Sequence, residues 1–324
     1  MKNRIQDSGF RIQAGQANVP ARPLLLSTQH SALIPRHSQG FTLVEMIIVI
    51  VITGIIAGMV AMFIRAPVQG YVDSARRAEM TDIADTALRR LGRDLRTAVP
   101  NSIRMPTPAG STYFEFLPTT AGGRYRVDAA SGSGLCGAAG DNLSFDAPDT
   151  CFEIVGTQIA TSVGDAIVIG STQSDGSQPY QAVDSATGVR RMVSAAGTTT
   201  VQFTSGATLP ASSELEGHRF SVVPAAQRAV TYACMSPNGN PCGIGADGDG
   251  TCQLRRYWNY GFNPVLAAPP PGGSRAILAQ KVSGCTFVYN TDNQRNSLLA
   301  ARLTITRGNE SVNLYHEVHI NNIP

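Results

Sequence analysis

A single carboxylate lies inside the most apolar stretch of the chain. The stretch runs from Phe41 to Ile64, and its only polar residues are Thr42, Glu45 and Thr53. A charged acidic side chain costs about 2.5–3.5 kcal/mol at the centre of a bilayer on insertion scales, so such a residue is normally paired or functional. No cationic side chain lies within the stretch. We therefore expect the partner of Glu45 to come from outside this segment.

Cleavage of the chain between Gly40 and Phe41 would create a partner of this kind. The new amine on Phe41 would carry a positive charge, and Glu45 could pair with that amine on a neighbouring copy. Two other interpretations remain open. A secretory signal peptide places small residues after a shorter apolar stretch, whereas Gly40 precedes this one. A plain signal anchor has no use for Glu45.

The apolar stretch is long enough to cross a membrane. At about 1.5 Å per residue, a helix from Phe41 to Ile64 spans roughly 36 Å, against a hydrocarbon core of about 30 Å. The basic flank before it places the N-terminus in the cytoplasm and the rest of the chain outside.

Because the whole chain carries a net charge of only +3, the part of the chain after the basic flank is about neutral, and no nucleic-acid surface is predicted. The charged residues of the flank are Lys2, Arg4, Arg11, Arg22 and Arg36, with Asp7.

The run GFTLVE, from Gly40 to Glu45, resembles the class III signal of type IV prepilins and type II secretion pseudopilins. The resemblance implies that a membrane prepilin peptidase cuts after Gly40 and N-methylates Phe41. It also implies that Glu45 helps to recruit and register neighbouring subunits. Residues 1–40 would then be a cleaved cytoplasmic leader, longer than is usual in the family.

The helix is expected to continue past the membrane segment to Val99, with a kink at Pro67 and an end forced by Pro100. Apolar residues at spacings of three and four predict an amphipathic helix over residues 65–99. They are Val68, Tyr71, Val72, Ala75, Ile83, Ala84, Ala87, Leu88, Leu91, Leu95 and Ala98.

The opposite face of this helix is charged, and two interpretations of it are open. It is either a solvated face with internal ion pairs, or a set of arginines that meets acidic groups of adjacent subunits. The arginines concerned are Arg89, Arg90, Arg93 and Arg96.

Residues 100–324 predict a β-rich head, because short apolar runs alternate with turn residues. The clearest feature is a hairpin with its turn at Gly308-Asn309. Helix first and sheet afterwards indicates an α+β fold, and the resemblance implies a type IV pilin-like one. The predicted strands are Tyr113–Leu117, Leu143–Phe145, Phe152–Val155, Ala166–Ile169, Thr199–Phe203, Arg219–Val223, Ala229–Tyr232, Leu254–Trp258, Ala276–Leu278, Cys285–Tyr289, Leu298–Thr306 and Val312–Ile320.

All six cysteines follow the apolar stretch, and none forms a C-x-x-C pair. An even number of cysteines after a membrane segment favours disulfides in an oxidising compartment over free thiols. The spacing of the cysteines is poor for binding zinc. Connectivity cannot be read from the sequence. Short loops favour Cys136 with Cys151 and one pair within Cys234, Cys242 and Cys252, which leaves Cys285 for the third.

No enzyme motif stands out, and no catalytic residue or cofactor is predicted. On a strand His316 and His319 point to opposite faces, so a shared metal is not expected. Asp247 and Asp249 lie in a glycine-rich loop and form a weak calcium candidate, with an acidic turn as the alternative.

The end of the helix, DTALRRLGRDLRTAVPNSIR, and the cysteine-bearing head resemble minor pilins of MSHA-type pili, of the MshO type, which are related to J-type minor pseudopilins. The resemblance implies a structural subunit that initiates pilus assembly. Its partners would be other pilins, the prepilin peptidase, an inner-membrane assembly platform and, before assembly, lipid. Two alternatives remain: a J-type pseudopilin of type II secretion, and a signal-anchored extracytoplasmic enzyme or binding protein.

Overall fold

The computed structural model describes residues 40–108, 110–129, 140–290 and 296–324. They belong to two compact units, the first ending at Phe63 and the second running from Ile64 to Pro324. The helix is α1 (Leu43–Leu95), and the strands are β1 (Tyr113–Phe116), β2 (Ala121–Tyr125), β3 (Cys151–Val155), β4 (Ala166–Ile169), β5 (Arg190–Ala195), β6 (Thr200–Phe203), β7 (Arg219–Val223), β8 (Val230–Met235), β9 (Cys252–Trp258), β10 (Ser274–Asn290), β11 (Asn296–Arg307) and β12 (Glu310–Asn321). Short 3-10 turns lie at Gln178–Tyr180, Ala211–Ser213 and Ala225–Gln227. The predicted α+β class, with a long N-terminal helix and antiparallel sheets, is confirmed.

A six-stranded antiparallel sheet, in the order β1-β8-β9-β10-β11-β12, carries the second half of the helix. The helix buries one face against it, and each fully buried leucine contributes about 1.5–3 kcal/mol. Val68, Tyr71 and Val72 were predicted on the same face but stay exposed, because packing begins only at Met80. The buried helix residues follow the expected spacing: Met80, Ala84, Ala87, Leu88, Leu91, Gly92 and Leu95.

The predicted β11–β12 hairpin is confirmed. Arg307 pairs with Glu310, which leaves a two-residue loop of Gly308 and Asn309. Both loop residues have positive φ, 58° and 64°. This is the pattern of a type I′ turn, whose twist matches that of the strands it joins.

A closed barrel of six strands, in the order β2-β3-β6-β5-β4-β7, forms a second β-structure in the same unit. Its interior is aromatic, and the rings of Phe152 and Phe220 meet edge to face at 5.1 Å. Burial raises the pKa of Tyr125, inside this barrel, to about 12. The sequence did not predict a barrel, since β2 and β5 were not recognised as strands.

A buried polar cluster lies beside β1. Arg104 donates to Glu115 at 2.6 Å, and the hydroxyl of Tyr260 donates to the same carboxylate at 2.7 Å. The guanidinium of Arg104 also lies 3.6 Å from the ring centre of Tyr180. Burial raises the pKa of Glu115, although Arg104 acts in the opposite direction. The cluster satisfies charges that would be costly to bury alone.

Three boundaries differ from the predictions. The helix ends at Leu95 rather than at Val99, because Val99 donates its N–H to Leu117 and joins the β-structure. Residues 143–145 form no strand, since Asp149 accepts the N–H of Ser144 and holds a turn there. The two strands predicted at residues 276–278 and 285–289 are one long strand, β10.

Asp94 fastens the end of the helix to the sheet. Its Oδ2 accepts hydrogen bonds from Arg256 Nε at 2.6 Å and from the Tyr232 hydroxyl at 2.8 Å. Both donors are buried. The carboxylate raises the pKa of Tyr232, after the larger effect of burial.

Replacing Asp94 by alanine should therefore lower the free energy of unfolding by about 1–3 kcal/mol, because two buried donors lose their acceptor. The matched control is Asp85→Ala, which removes the exposed Asp85–Arg89 pair (2.6 Å) and should change stability by less than about 0.5 kcal/mol. Urea unfolding of the detergent-solubilised chain, followed by circular dichroism, measures both. Equal effects of the two substitutions would contradict the anchoring role.

Candidate processing and assembly site

The predicted cleavage point lies on exposed, non-helical chain. Gly40 and Phe41 precede α1, and Phe41 is 76% exposed. A Cβ built on Gly40 would have no atom within 4 Å, so nothing in the described chain covers this bond. A protease needs an accessible, non-helical backbone, and residues 40–42 meet that need on the side of the bond that the structure describes.

Thr42 caps the start of α1. Its Oγ1 accepts the backbone N–H of Glu45 at 3.2 Å, which satisfies one of the free donors of the first helical turn. Threonine followed three residues later by glutamate is the capping-box pattern. The sequence analysis missed this role, although Thr42-Leu43-Val44-Glu45 displays the pattern openly. Glu45 is thus held in the first turn, close to the chain end that cleavage would create.

The carboxylate of Glu45 forms no ion pair with any of the residues that the structure describes. The side chain is exposed on the first turn. Placement in this turn is favourable for an anion, since the free N–H groups there carry partial positive charge. That effect is worth only about 0.3–1 kcal/mol, less than the cost of placing a charge in a bilayer. A positive partner is still required.

The apolar surface around Glu45 is not covered by any other described part of the chain. Every residue from Phe41 to Ile64 is exposed, and α1 is the one helix in the described part of the chain that is long and apolar enough to cross a membrane. So large an exposed apolar surface requires lipid or other protein around it.

The charged face of α1 is partly paired within its own chain. Arg89 binds Asp85, which agrees with internal pairing rather than with contact to another subunit. Nearer the membrane segment, Arg77 pairs with Glu310, and Glu79 pairs with Arg307 at 2.9 Å. Arg90, Arg93 and Arg96 form no ion pair within the described residues, so their contact with adjacent subunits stays a prediction.

Two disulfides fit the predicted oxidised state of the cysteines. Cys242, in the loop between β8 and β9, bonds to Cys252 at the start of β9, and Cys234 on β8 bonds to Cys285 on β10. Cys136 lies outside the described residues, so its pairing with Cys151 stays a prediction, and Cys151 is itself disulfide-bonded.

The calcium candidate has another role. The carboxylate of Asp249 accepts from Lys281 Nζ and from the backbone N–H of Gly308 at 2.9 Å, while Asp247 accepts the N–H of Asp249 at 3.1 Å. A lysine at the carboxylate repels a cation, so we assign this loop as an anchored turn against the β11–β12 hairpin. Within the described residues, no group of three or more His, Cys, Asp or Glu side chains could hold a metal ion.

The two histidines of β12 lie on opposite faces, as predicted. His316 is half-buried on the helix side, and His319 is exposed. A Cβ at Gly92 would lie 2.9 Å from Nε2 of His316, so the glycine permits the close approach of helix and strand.

An exposed Gly-Phe bond is followed by an uncovered apolar helix, and this helix continues as an amphipathic helix packed on an antiparallel sheet. These features define a type IV pilin-like fold. Residues 35–61 match the prokaryotic N-terminal methylation motif. The match includes Gly40, Phe41 and Glu45. It supports a membrane-anchored pilin or pseudopilin that a prepilin peptidase processes. No curated protein and no solved structure matches the chain.

Replacing Thr42 by alanine should fray the first turn of α1, because capping by threonine is worth about 1 kcal/mol. Amide hydrogen exchange at Leu43 to Glu45 should become several-fold faster in detergent micelles. Thr53→Ala is the control, since the Thr53 hydroxyl donates back to the carbonyls of Val49 and Ile50, at 2.6 and 3.1 Å, and caps no helix end. Unchanged exchange in the Thr42 variant would show that the cap does not hold this end.

Proposed function

We propose that this protein is a minor pilin of the MshO type, which helps to initiate an MSHA-like type IV pilus near its tip. The observation that carries the proposal is the carboxylate of Glu45, which has no ion-pair partner among the described residues and lies one turn from Phe41 on an uncovered apolar helix. Cleavage after Gly40 supplies the Phe41 amine, and a neighbouring subunit brings that amine to Glu45. The segment from Phe41 to Ile64 forms the filament core.

The head supports a minor rather than a major subunit. It combines a six-stranded sheet with a separate closed barrel, a larger head than a repeating filament subunit needs. Retention of Glu45 fits a subunit with another above it rather than the outermost one. The arginines Arg90, Arg93 and Arg96 provide contacts to acidic groups of adjacent subunits.

Before assembly the protein lies in the inner membrane, with the leader in the cytoplasm and the head in the periplasm. The basic residues before Phe41 favour this orientation. The disulfides Cys234–Cys285 and Cys242–Cys252 support it, since such bonds persist in oxidising compartments. The assembly platform of that membrane then extracts the chain into the filament.

The mature chain should begin with N-methylated Phe41. Mass spectrometry of protein from cells that contain the peptidase should find this N-terminus, while cells without the enzyme should retain residues 1–40. Gly40→Val should block cleavage, because a side chain then occupies the open position beside the cut bond. An intact bond between residues 40 and 41 in peptidase-containing cells would overturn the proposal and favour a plain anchor.

Glu45→Gln should change two measurements in opposite directions. Membrane insertion should improve slightly, because removing the charge relieves up to about 3 kcal/mol of desolvation cost. Recovery in the sheared filament fraction should fall several-fold or more, because the Phe41 amine of the next subunit loses its partner.

Glu79→Gln is the matched control for that experiment. Glu79 lies on the same helix, is exposed and pairs with Arg307 of its own head, so assembly should persist. Equal recovery of the Glu45 and Glu79 variants would contradict the assembly role. Recovery with secretion pseudopilins rather than with pili would identify a J-type pseudopilin instead.

A further inference from the structure

A groove of about 420 Å³ crosses the outer face of the barrel. Residues of β2, β7 and the end of β4 form its floor, and the chain that leaves α1 closes one side. Gly122 and Arg124 lie at exposed positions of β2, and Arg219 at an exposed position of β7. The volume falls within the range of small-molecule sites, about 300–1,000 Å³.

Two arginines lie side by side on the floor of this groove. Arg124 pairs in register with Arg219 on the neighbouring antiparallel strand. Residues at such positions have Cβ atoms about 4.5–5.5 Å apart, and like charges there repel each other. Neither guanidinium forms an ion pair or a hydrogen bond within the described part of the chain.

A neighbouring arginine of the barrel, in contrast to Arg124 and Arg219, does form an ion pair. Arg126, next along the chain from Tyr125, has a carboxylate partner in Glu153 at 2.6 Å. The groove therefore holds two arginines that have no ion-pair partner among the described residues, with Pro324 also in its lining, and the repulsion between them weakens the pairing of β2 with β7.

The groove beside the arginines is kept open and its wall is fixed. Gly122 lies opposite Ser221, and the absence of a side chain there leaves the floor clear. Ser171 on the wall accepts the Asn101 amide at 2.7 Å and donates its hydroxyl back to Asn101 at 3.2 Å. Asn101 is held in turn by Asn322 at 3.3 Å. The site does not depend on a loop that must close.

We propose that the groove binds an oxyanion group, a carboxylate, sulfate or phosphate, of a small acidic ligand. Two guanidinium forks match the paired oxygens of such groups and offer several parallel N–H donors. The ligand removes the repulsion between Arg124 and Arg219, so binding stabilises the barrel. This gives the head a ligand site that is independent of filament assembly.

Calorimetric titration of the detergent-solubilised full-length chain tests the proposal. The probes are inorganic phosphate, sulfate, galacturonate and, as the neutral counterpart, galactose. We expect at least one anion to bind and to raise Tm, and galactose to do neither. Preference for galacturonate assigns the site to acidic sugars, whereas equal binding of phosphate and sulfate assigns it to simple oxyanions.

The double substitution Arg124→Ala/Arg219→Ala should weaken anion binding by about tenfold or more, since hydrogen bonds to charged groups are worth about 1.5–3 kcal/mol each. Without ligand, its Tm should equal or exceed that of the unsubstituted chain, because the repulsion is gone. Arg275→Ala is the control, an exposed arginine on β10. No anion binding, or equal binding by the double variant and the control, would overturn the proposal.

Discussion

The whole arrangement depends on one unmet requirement: a carboxylate on an apolar helix that has no positive partner among the described residues of its own chain. Lipid satisfies the apolar side chains around Glu45 but not its charge. Another protein chain can satisfy both. Under the proposed function, a membrane is therefore a temporary environment for this segment, and α1 reaches its stable state inside an assembly. Cleavage after Gly40 would determine when that state becomes available.

In the proposed assembly, the head must remain attached to a helix that moves from the membrane into a filament. The attachment begins at Met80 and combines a strip of buried apolar residues with polar anchors near its two ends. Arg77 and Glu79 bind the β11–β12 hairpin, and Asp94 binds Arg256 and Tyr232. Between these anchors, Gly92 lets the helix approach β12 closely. The helix and the sheet therefore behave as one folded element, whatever surrounds the N-terminal half.

Sequence patterns predicted the parts of this fold whose signal is local. The apolar stretch, the helical spacing after Met80 and the Gly308-Asn309 hairpin each depend on neighbours in the chain, and each was found. The candidate site was predicted in the same way, since the run from Gly40 to Glu45 is continuous. The pairing of Arg77 and Asp94 with distant strands could not be predicted, because their partners lie over a hundred residues away.

The barrel was missed for a related physical reason. β2 contains Gly122 and Gly123, and two adjacent glycines favour the prediction of a turn. β5 begins with Arg190 and Arg191, and two adjacent arginines favour the prediction of an exposed segment. Both arginines are buried, and their guanidinium groups donate hydrogen bonds to backbone carbonyls. These acceptors are brought into place only by the tertiary structure. Burial also lowers the pKa of Arg190, to about 10. The strand order is not sequential either, so no local pattern could close the barrel.

The disulfide between Cys234 and Cys285 has a mechanical consequence. It joins β8 to the part of β10 that follows the pairing of β10 with β9, and it encloses a sequence separation of 51 residues. Consider a pulling force that enters the head through α1 and leaves at a residue after Cys285. This force passes through the covalent bond between the two cysteines. The enclosed segment, about 170 Å if fully extended, then carries no load. Under tension β9 is shielded, and the strands on either side of the enclosed segment, from β1 to β7 and β11 and β12, carry the force instead.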